Sequence, residues 1–324
     1  MAIKALAWMV RAFEPPVYCY HEIVHNRLVV DRFRDLGVVF VDDIADVPEG
    51  APLMLSAHGS APGVVRAAAS QGGYVVNAVC PLVTKVHHEV KVRAGKGYSI
   101  VYVGHAGHDE AVGTMAVAPD DIHLVESEAD VEALPITDHP VALLAQTTLS
   151  HHDWADVLEA TRQRFPGLWM PGRSDLCFAT TNRQSALVQI AERCDAVVVI
   201  GSANSSNTVA LEKVARAAGC PRVLRVNGPR ELPDDLTGVV GVTAGASAPE
   251  ELVRSVIDRL GPVDGVEEVA YTAEAEYFPP PRELRELLGA ITTVASLALA
   301  APASAPATAD RELAASEVLA GLRA

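Results

Sequence analysis

Aromatic residues make up only 5% of the 324-residue chain, although 49% of it is hydrophobic. A core of large rings, as in many β-sandwiches, is excluded, and the abundant alanine suits helices laid on a sheet. Positive charge is also scarce. Lys and Arg number 26 against 41 Asp and Glu, for a formal net charge of −15. Nucleic acid and anionic membranes need a basic footprint, so neither is expected as the main partner, and any anion site must be built locally. No apolar run reaches the roughly 20 residues of a membrane span. The nearest, Leu288 to Ala301, is broken by Thr and Ser and followed by Pro302. The apolar stretch between Lys4 and Arg11 is shorter than a secretory core of about 7–15 residues, so a cytoplasmic location is expected. The five cysteines at 19, 80, 177, 194 and 220 include no CxxC pair, which argues against a disulfide framework and leaves a metal site assembled from distant positions. GxxxxGK(S/T), GxGxxG and GxSxG are all missing, so nucleotide-binding and serine-hydrolase readings lose support.

What is present is an alternation of Val/Ile/Leu-rich strand runs with helical periods, as in CDAVVVIGS followed by NTVALEKVARAAG. The pattern predicts an α/β protein with mostly parallel strands, of two or three small domains at roughly 150 residues each. Six strand runs end in small polar clusters: His25-Asn26, Ser56 to Ser60, Gly104 to His108, Gln146 to Ser150, Gly201 to Asn207 and Thr243 to Ser247. Ligands of open α/β sheets bind at such carboxyl ends, where helix N-termini offer free N–H groups.

The clusters fall into a long internal repeat. Cys80 opens CPLVTKVHHEV and Cys177 opens CFATTNRQSAL, 97 residues apart, and a Gly-led cluster follows each after 24 residues, at Gly104 and Gly201. Thr147 and Ser247 then follow at 67 and 70 residues. The first part of the chain carries the later pieces of the same unit without its opening Cys. Counting back by these offsets puts that Cys mostly before Met1. The stripe Ile3, Leu6, Val10, Phe13 begins with no capping residue ahead of it, as if the chain starts inside a helix.

HEIVH at 21–25 matches the HExxH zinc signature, but that chemistry needs a helix. The preceding PPVYCY reads as a strand and the helical period starts only after Asn26, so the match is read as chance. Cys80 and Cys177, at equivalent places in two repeats, are candidate metal ligands. With a third thiolate from the first repeat they would converge on a pseudo-threefold axis, too few for tetrahedral zinc but enough for a four-iron cluster with one open iron. Cys19, Cys194 and Cys220 have no repeat partners and read as ordinary thiols. His25, His58 and His108 lie in strand-end clusters and favour a shared anion site, with imidazolium charge and helix N–H groups holding a phosphate. Glu110, two residues after His108, is a carboxylate beside these turns; it is either a helix-dipole partner or a proton donor.

Taken in order, HEIVHN, SAHGSAP, CPLVTKVH, GHAGHDEAVGTM, AQTTLS, CFATTNRQ, GSANSSNT and GVTAGASAP resemble the 4-hydroxy-3-methylbut-2-enyl diphosphate reductases, over about residues 1–288. The resemblance implies a trefoil of three pseudo-equivalent α/β domains around a [4Fe-4S] cluster, and a reductive dehydroxylation to isopentenyl and dimethylallyl diphosphate, the last step of the non-mevalonate pathway. It implies that Cys80 and Cys177 are two of three cluster ligands. His25, His58, His108, Ser205, Ser206, Asn207 and Ser247 correspond to the diphosphate-binding turns, Thr147 to a residue near the substrate hydroxyl, and Glu110 to the proton donor. A small ferredoxin- or flavodoxin-like protein is implied as electron donor.

The family's first ligand lies in a Gly-aromatic-Cys turn ahead of the first helix, and this sequence has no such segment; Cys19 is not its equivalent. The expectation is a chain that begins at an internal methionine of a longer product. The alternative is a paralogue that binds diphosphates without a stable cluster. The boundaries expected are 1–79, 80–176 and 177–270 for the three repeats, 271–288 for a C-terminal segment, and 289–324 for a mobile Ala/Pro-rich tail.

Overall fold

The structure, a computed structural model, describes residues 1–71, 73–272, 277–299, 311 and 313–322. It contains three separate sheets, and every strand pairing in them is parallel. The first sheet holds β1 (Val17–Tyr20), β2 (Val38–Val41), β3 (Leu53–Leu55) and β4 (Val75–Asn77), in the order β2-β1-β3-β4. The second holds β5 (Ser99–Val103), β6 (Ile122–Val125) and β7 (Val141–Ala145), in the order β6-β5-β7. The third holds β8 (Ala196–Ile200), β9 (Val223–Val226) and β10 (Val240–Ala244), in the order β10-β8-β9. The α/β class expected from the sequence is the class observed, and each sheet falls within one of the three segments that the repeat marked out.

The same topology recurs three times: the first strand of each sheet is central, the second lies on one side of it and the third on the other. The chain leaves the first strand toward one edge and the third strand toward the opposite edge, which opens a crevice at their carboxyl ends. All six polar clusters lie at or just beyond the carboxyl ends of these first and third strands. The second sheet also keeps a vestige of a fourth strand. Trp169 bridges Ala142 in parallel, with Leu143 N–H donating to the Trp169 carbonyl and Trp169 N–H to that of Val141, both at 2.9 Å. It therefore occupies the place that β4 takes in the first sheet, and in both repeats this fourth piece leads to a candidate ligand, Cys80 or Cys177.

Twelve helices connect or flank the described strands: α1 (Ala2–Ala12), α2 (Arg27–Asp35), α3 (Pro62–Ser70), α4 (Pro81–Ala94), α5 (Asp109–Met115), α6 (Glu128–Ala133), α7 (His151–Arg164), α8 (Phe178–Ala191), α9 (Ser206–Ala217), α10 (Glu250–Leu260), α11 (Arg282–Leu299) and α12 (Ala315–Ala320). Strands β7 (VALLA) and β8 (AVVVI) are buried at every residue. This is why they read as continuous apolar runs and not as an alternation: both faces are covered. No helix among the described residues is long and apolar enough to cross a membrane.

The chain divides into two compact units, one of Met1–Val24, Leu28–Pro81 and Ala275–Ala324, the other of His25–Arg27 and Leu82–Glu274. In the first, α1 buries Ala2, Ala5, Leu6 and Met9, with Ile3, Val10 and Phe13 partly buried at the edge of the same cluster. The tail expected at 289–324 lies outside the described residues at 300–310, 312, 323 and 324. Of the rest, α11 continues to Leu299, and Val318, Leu319 and Leu322 at and beside α12 are buried in the cluster formed by α1. Each such side chain contributes roughly 1.5–3 kcal/mol on burial. That outweighs the composition bias from which the tail was read as mobile.

Candidate active site at the strand ends

The segment 21–26 is irregular, His21 has a positive φ of 58°, and α2 begins at Arg27. The HExxH match is not on a helix, so the zinc-protease geometry is excluded.

The center of the second unit's site is Glu110. It sits in the first turn of α5 and is only 2% exposed. One carboxyl oxygen accepts the Thr147 N–H at 2.7 Å, and the other lies 3.0 Å from the Thr147 hydroxyl, which donates to it. Burial pushes the carboxyl up to about 7, against the two Thr147 hydrogen bonds, which favor the charged form; the negative Asp175 adds to the rise. A carboxylic acid that is half protonated near neutrality can both give and take a proton.

Two residues before Glu110, His108 caps α5, and its Nδ1 accepts the Glu110 N–H at 3.1 Å. The His25 ring stands edge-on to that of His108 at 5.2 Å, and His25 Nε2 is 4.0 Å from Asp109 Oδ2. The third sheet's turns hold this short stretch: the Ser247 hydroxyl donates to the His25 carbonyl at 3.2 Å, and Arg27 N–H to Ser202 Oγ at 3.0 Å.

Ser205 caps α9, accepting the Thr208 N–H at 3.3 Å. Ser206 Oγ lies 3.3 Å from Gln146 Nε2, which donates to it. Asn207, 4% exposed, has no hydrogen-bond partner on either side-chain polar atom among the described residues. Its two buried polar atoms are open to a ligand or to water. Two glycines make this turn tight: a Cβ on Gly201 (φ 151°) or Gly245 would lie 2.3 or 2.4 Å from Thr208 Oγ1. Hence His25, His108, Glu110, Thr147 and Ser247 are joined by a chain of contacts, and Ser205, Ser206 and Asn207 at the start of α9 belong to the same unit.

His58 and Cys80 belong to the first unit. His58 follows β3, and the Cys80 N–H donates to the Ala57 carbonyl at 3.0 Å. In the second unit the Cys177 N–H donates to the Thr147 carbonyl at 2.8 Å. Ala57 and Thr147 each stand two residues beyond the end of their sheet's third strand, so the two cysteines are held alike. Both thiols are half-buried, whereas Cys19, Cys194 and Cys220 are buried, and burial pushes the Cys19 and Cys194 thiols up.

Three residues outside the sequence-based site belong to its framework. Gln146, fully buried, accepts the His105 N–H at 2.9 Å and donates to Thr148 Oγ1 at 3.0 Å. Asp175 and Lys85 form an ion pair at 3.0 Å. Gln146 lay within a recognized cluster; the other two, 90 residues apart, carried no local signal.

Fold and site together define a class: a repeat-built parallel α/β protein that gathers helix N-termini, a buried polar amide and one neutral-range carboxylic acid at its strand ends. Within that class the chain belongs to the LytB family, whose model, described as LytB protein, matches residues 1–261. It is 46% identical over 291 residues to the 4-hydroxy-3-methylbut-2-enyl diphosphate reductase of Rhodopirellula baltica, covering 88% of this chain and 91% of that one. It is 45% identical to the protein of the same name from Mycolicibacterium paratuberculosis, covering 87% and 88%. The solved structure of the E-1-hydroxy-2-methyl-but-2-enyl-4-diphosphate reductase from Plasmodium falciparum superposes with a TM-score of 0.86 at 30% identity, covering 90% of this chain and 93% of that one.

Proposed function

We propose that this chain is an oxidoreductase that converts 4-hydroxy-3-methylbut-2-enyl diphosphate to isopentenyl and dimethylallyl diphosphate, the last step of the non-mevalonate route to isoprenoids. The observation that carries the reading is Glu110, a buried carboxyl held on both oxygens by Thr147 and pushed to about 7. Loss of an allylic hydroxyl needs a proton, because water is a far better leaving group than hydroxide, and Glu110 is the acid that supplies it. Thr147, whose hydroxyl bonds Glu110, is assigned to the substrate hydroxyl; that bond supports the assignment.

The diphosphate is held by His25, His58 and His108, by Ser205 and Ser206 at the start of α9, and by Asn207 and Ser247. Imidazole rings, hydroxyls and helix N–H groups supply the donors for an anion in this otherwise acidic chain. The orphaned amide of Asn207 fits such a ligand.

A [4Fe-4S] cluster is the electron carrier, and Cys80 and Cys177 are the residues that hold it. Both thiols are half-buried at helix starts, at equivalent places in two repeats, whereas Cys19, Cys194 and Cys220 have no repeat partners. When bound, such a cluster passes electrons singly and offers an open iron as Lewis acid to the allylic oxygen. The electrons come from a small ferredoxin- or flavodoxin-like protein, and the reaction takes place in the cytoplasm. The test is anaerobic incubation of iron- and sulfide-reconstituted protein with 4-hydroxy-3-methylbut-2-enyl diphosphate and dithionite-reduced methyl viologen. Appearance of both five-carbon diphosphates by mass spectrometry supports the reading; unchanged substrate with intact cluster absorbance overturns it.

A further inference from the structure

The segment that delivers Cys177 is fixed by one lysine. Lys85, on α4, donates from its ammonium to the carbonyl of Arg173 at 2.9 Å, to that of Ser174 at 3.1 Å and to Asp175 Oδ1 at 3.0 Å. An ammonium has three hydrogens, and three consecutive residues take them. The Asp175 side chain is 2% exposed. Its second oxygen accepts the N–H of Ala145, the last residue of β7, at 3.2 Å. Two residues further on, Thr147 receives the Cys177 N–H on its carbonyl and bonds Glu110 with its own N–H and hydroxyl. One ion pair between the partly exposed Lys85 and the buried Asp175 thus ties the approach to Cys177 to the strand end that orients the acid. Such a pair is weak evidence of a stability role, since neutral replacements of similar shape often fold as well.

We propose that Lys85 and Asp175 are positioning residues, which hold the Thr147–Glu110 acid and the Cys177 thiol in one fixed register. The proposal rests on the function given above for the acid and the thiol. A structural role alone would cost folded protein; a positioning role costs rate in protein that stays folded.

The test uses the full chain with Lys85→Met and Asp175→Asn combined, which removes both charges, keeps the lysine stem and leaves an acceptor for the Ala145 N–H. Lys85→Met alone strands a buried carboxylate and serves only as a folding control. The double variant is expected to melt within a few degrees of the wild type. Its kcat per bound cluster should fall at least tenfold with KM changed less than about twofold. In metal-free protein, iodoacetamide should alkylate Cys177 at least threefold faster, read by peptide mass spectrometry, with Cys80 unchanged. Wild-type kcat and wild-type Cys177 reactivity in the double variant would overturn the proposal, as would a rate loss accounted for by unfolded protein. If the wild type itself does not turn over the allylic diphosphate, the functional reading fails, and the alkylation rates alone decide whether Lys85 and Asp175 position the thiol.

Discussion

Replacing Glu110 with Gln should make the protein more stable, by an amount that grows with pH. The wild-type carboxyl is fully buried and titrates at about 7 when folded, against roughly 4.3 in an unfolded chain. Between those values the folded state keeps a proton that the unfolded state has lost, so the stability from Glu110 is complete below about pH 4 and declines as pH rises through 7. The rise from roughly 4.3 to about 7 corresponds to about 3–4 kcal/mol at 1.36 kcal/mol per unit. Gln has no such titration and keeps the contacts, because its oxygen can accept the Thr147 N–H and its amide can donate to Thr147 Oγ1. The assay is urea denaturation of both proteins from pH 4 to pH 8.5. Taking the difference cancels the titrating groups that do not interact with Glu110. The variant should gain on the wild type by about 3–4 kcal/mol across that range, with most of the change between pH 4.5 and 7. A flat difference, or one that favors the wild type at high pH, would refute the raised titration and remove the physical basis for Glu110 as an acid.

Three further outcomes follow from the same geometry. Cys80→Ser and Cys177→Ser should each lower the iron retained after anaerobic reconstitution, measured colorimetrically after desalting, while Cys194→Ser should not. Asn207→Leu removes two unpartnered buried polar atoms, so it should raise the stability of unliganded protein by about 1 kcal/mol or more and weaken calorimetric binding of the allylic diphosphate more than tenfold. Gly245→Ala puts a Cβ 2.4 Å from Thr208 Oγ1 and should cost about 1–3 kcal/mol by overpacking; adding Thr208→Ala should restore most of it, read from urea midpoints.

The strand-end clusters were legible because both ends of each signal are local: an apolar run stops, and small polar residues follow. The spacing of Cys80 and Cys177 carried the repeat, and the equivalent bonds of their N–H groups to Ala57 and Thr147 give that spacing a physical form. Strand order was not legible, since nothing in VYCY or SIVYV says that each becomes the center of its sheet. The Lys85–Asp175 pair and the bond from Gln146 to Ser206 were hidden for the same reason: long-range polar pairs leave no periodicity. At His108 the capping bond was hidden, because the N–H that Nδ1 accepts becomes visible only once α5 starts at Asp109. At Val318, Leu319 and Leu322 low-complexity composition around them masked an apolar face that α1 buries.

The central claim is that Glu110 is the acid of a reductive dehydroxylation, and the most direct measurement compares Glu110→Gln with the wild type for both turnover and binding. Reduction of 4-hydroxy-3-methylbut-2-enyl diphosphate is followed with a chemical one-electron donor, and substrate affinity by calorimetry on the same preparations. The account predicts a loss in kcat of ~10²–10⁴-fold with a dissociation constant changed less than about tenfold, or ~1.4 kcal/mol. Near-normal turnover in Glu110→Gln would contradict it.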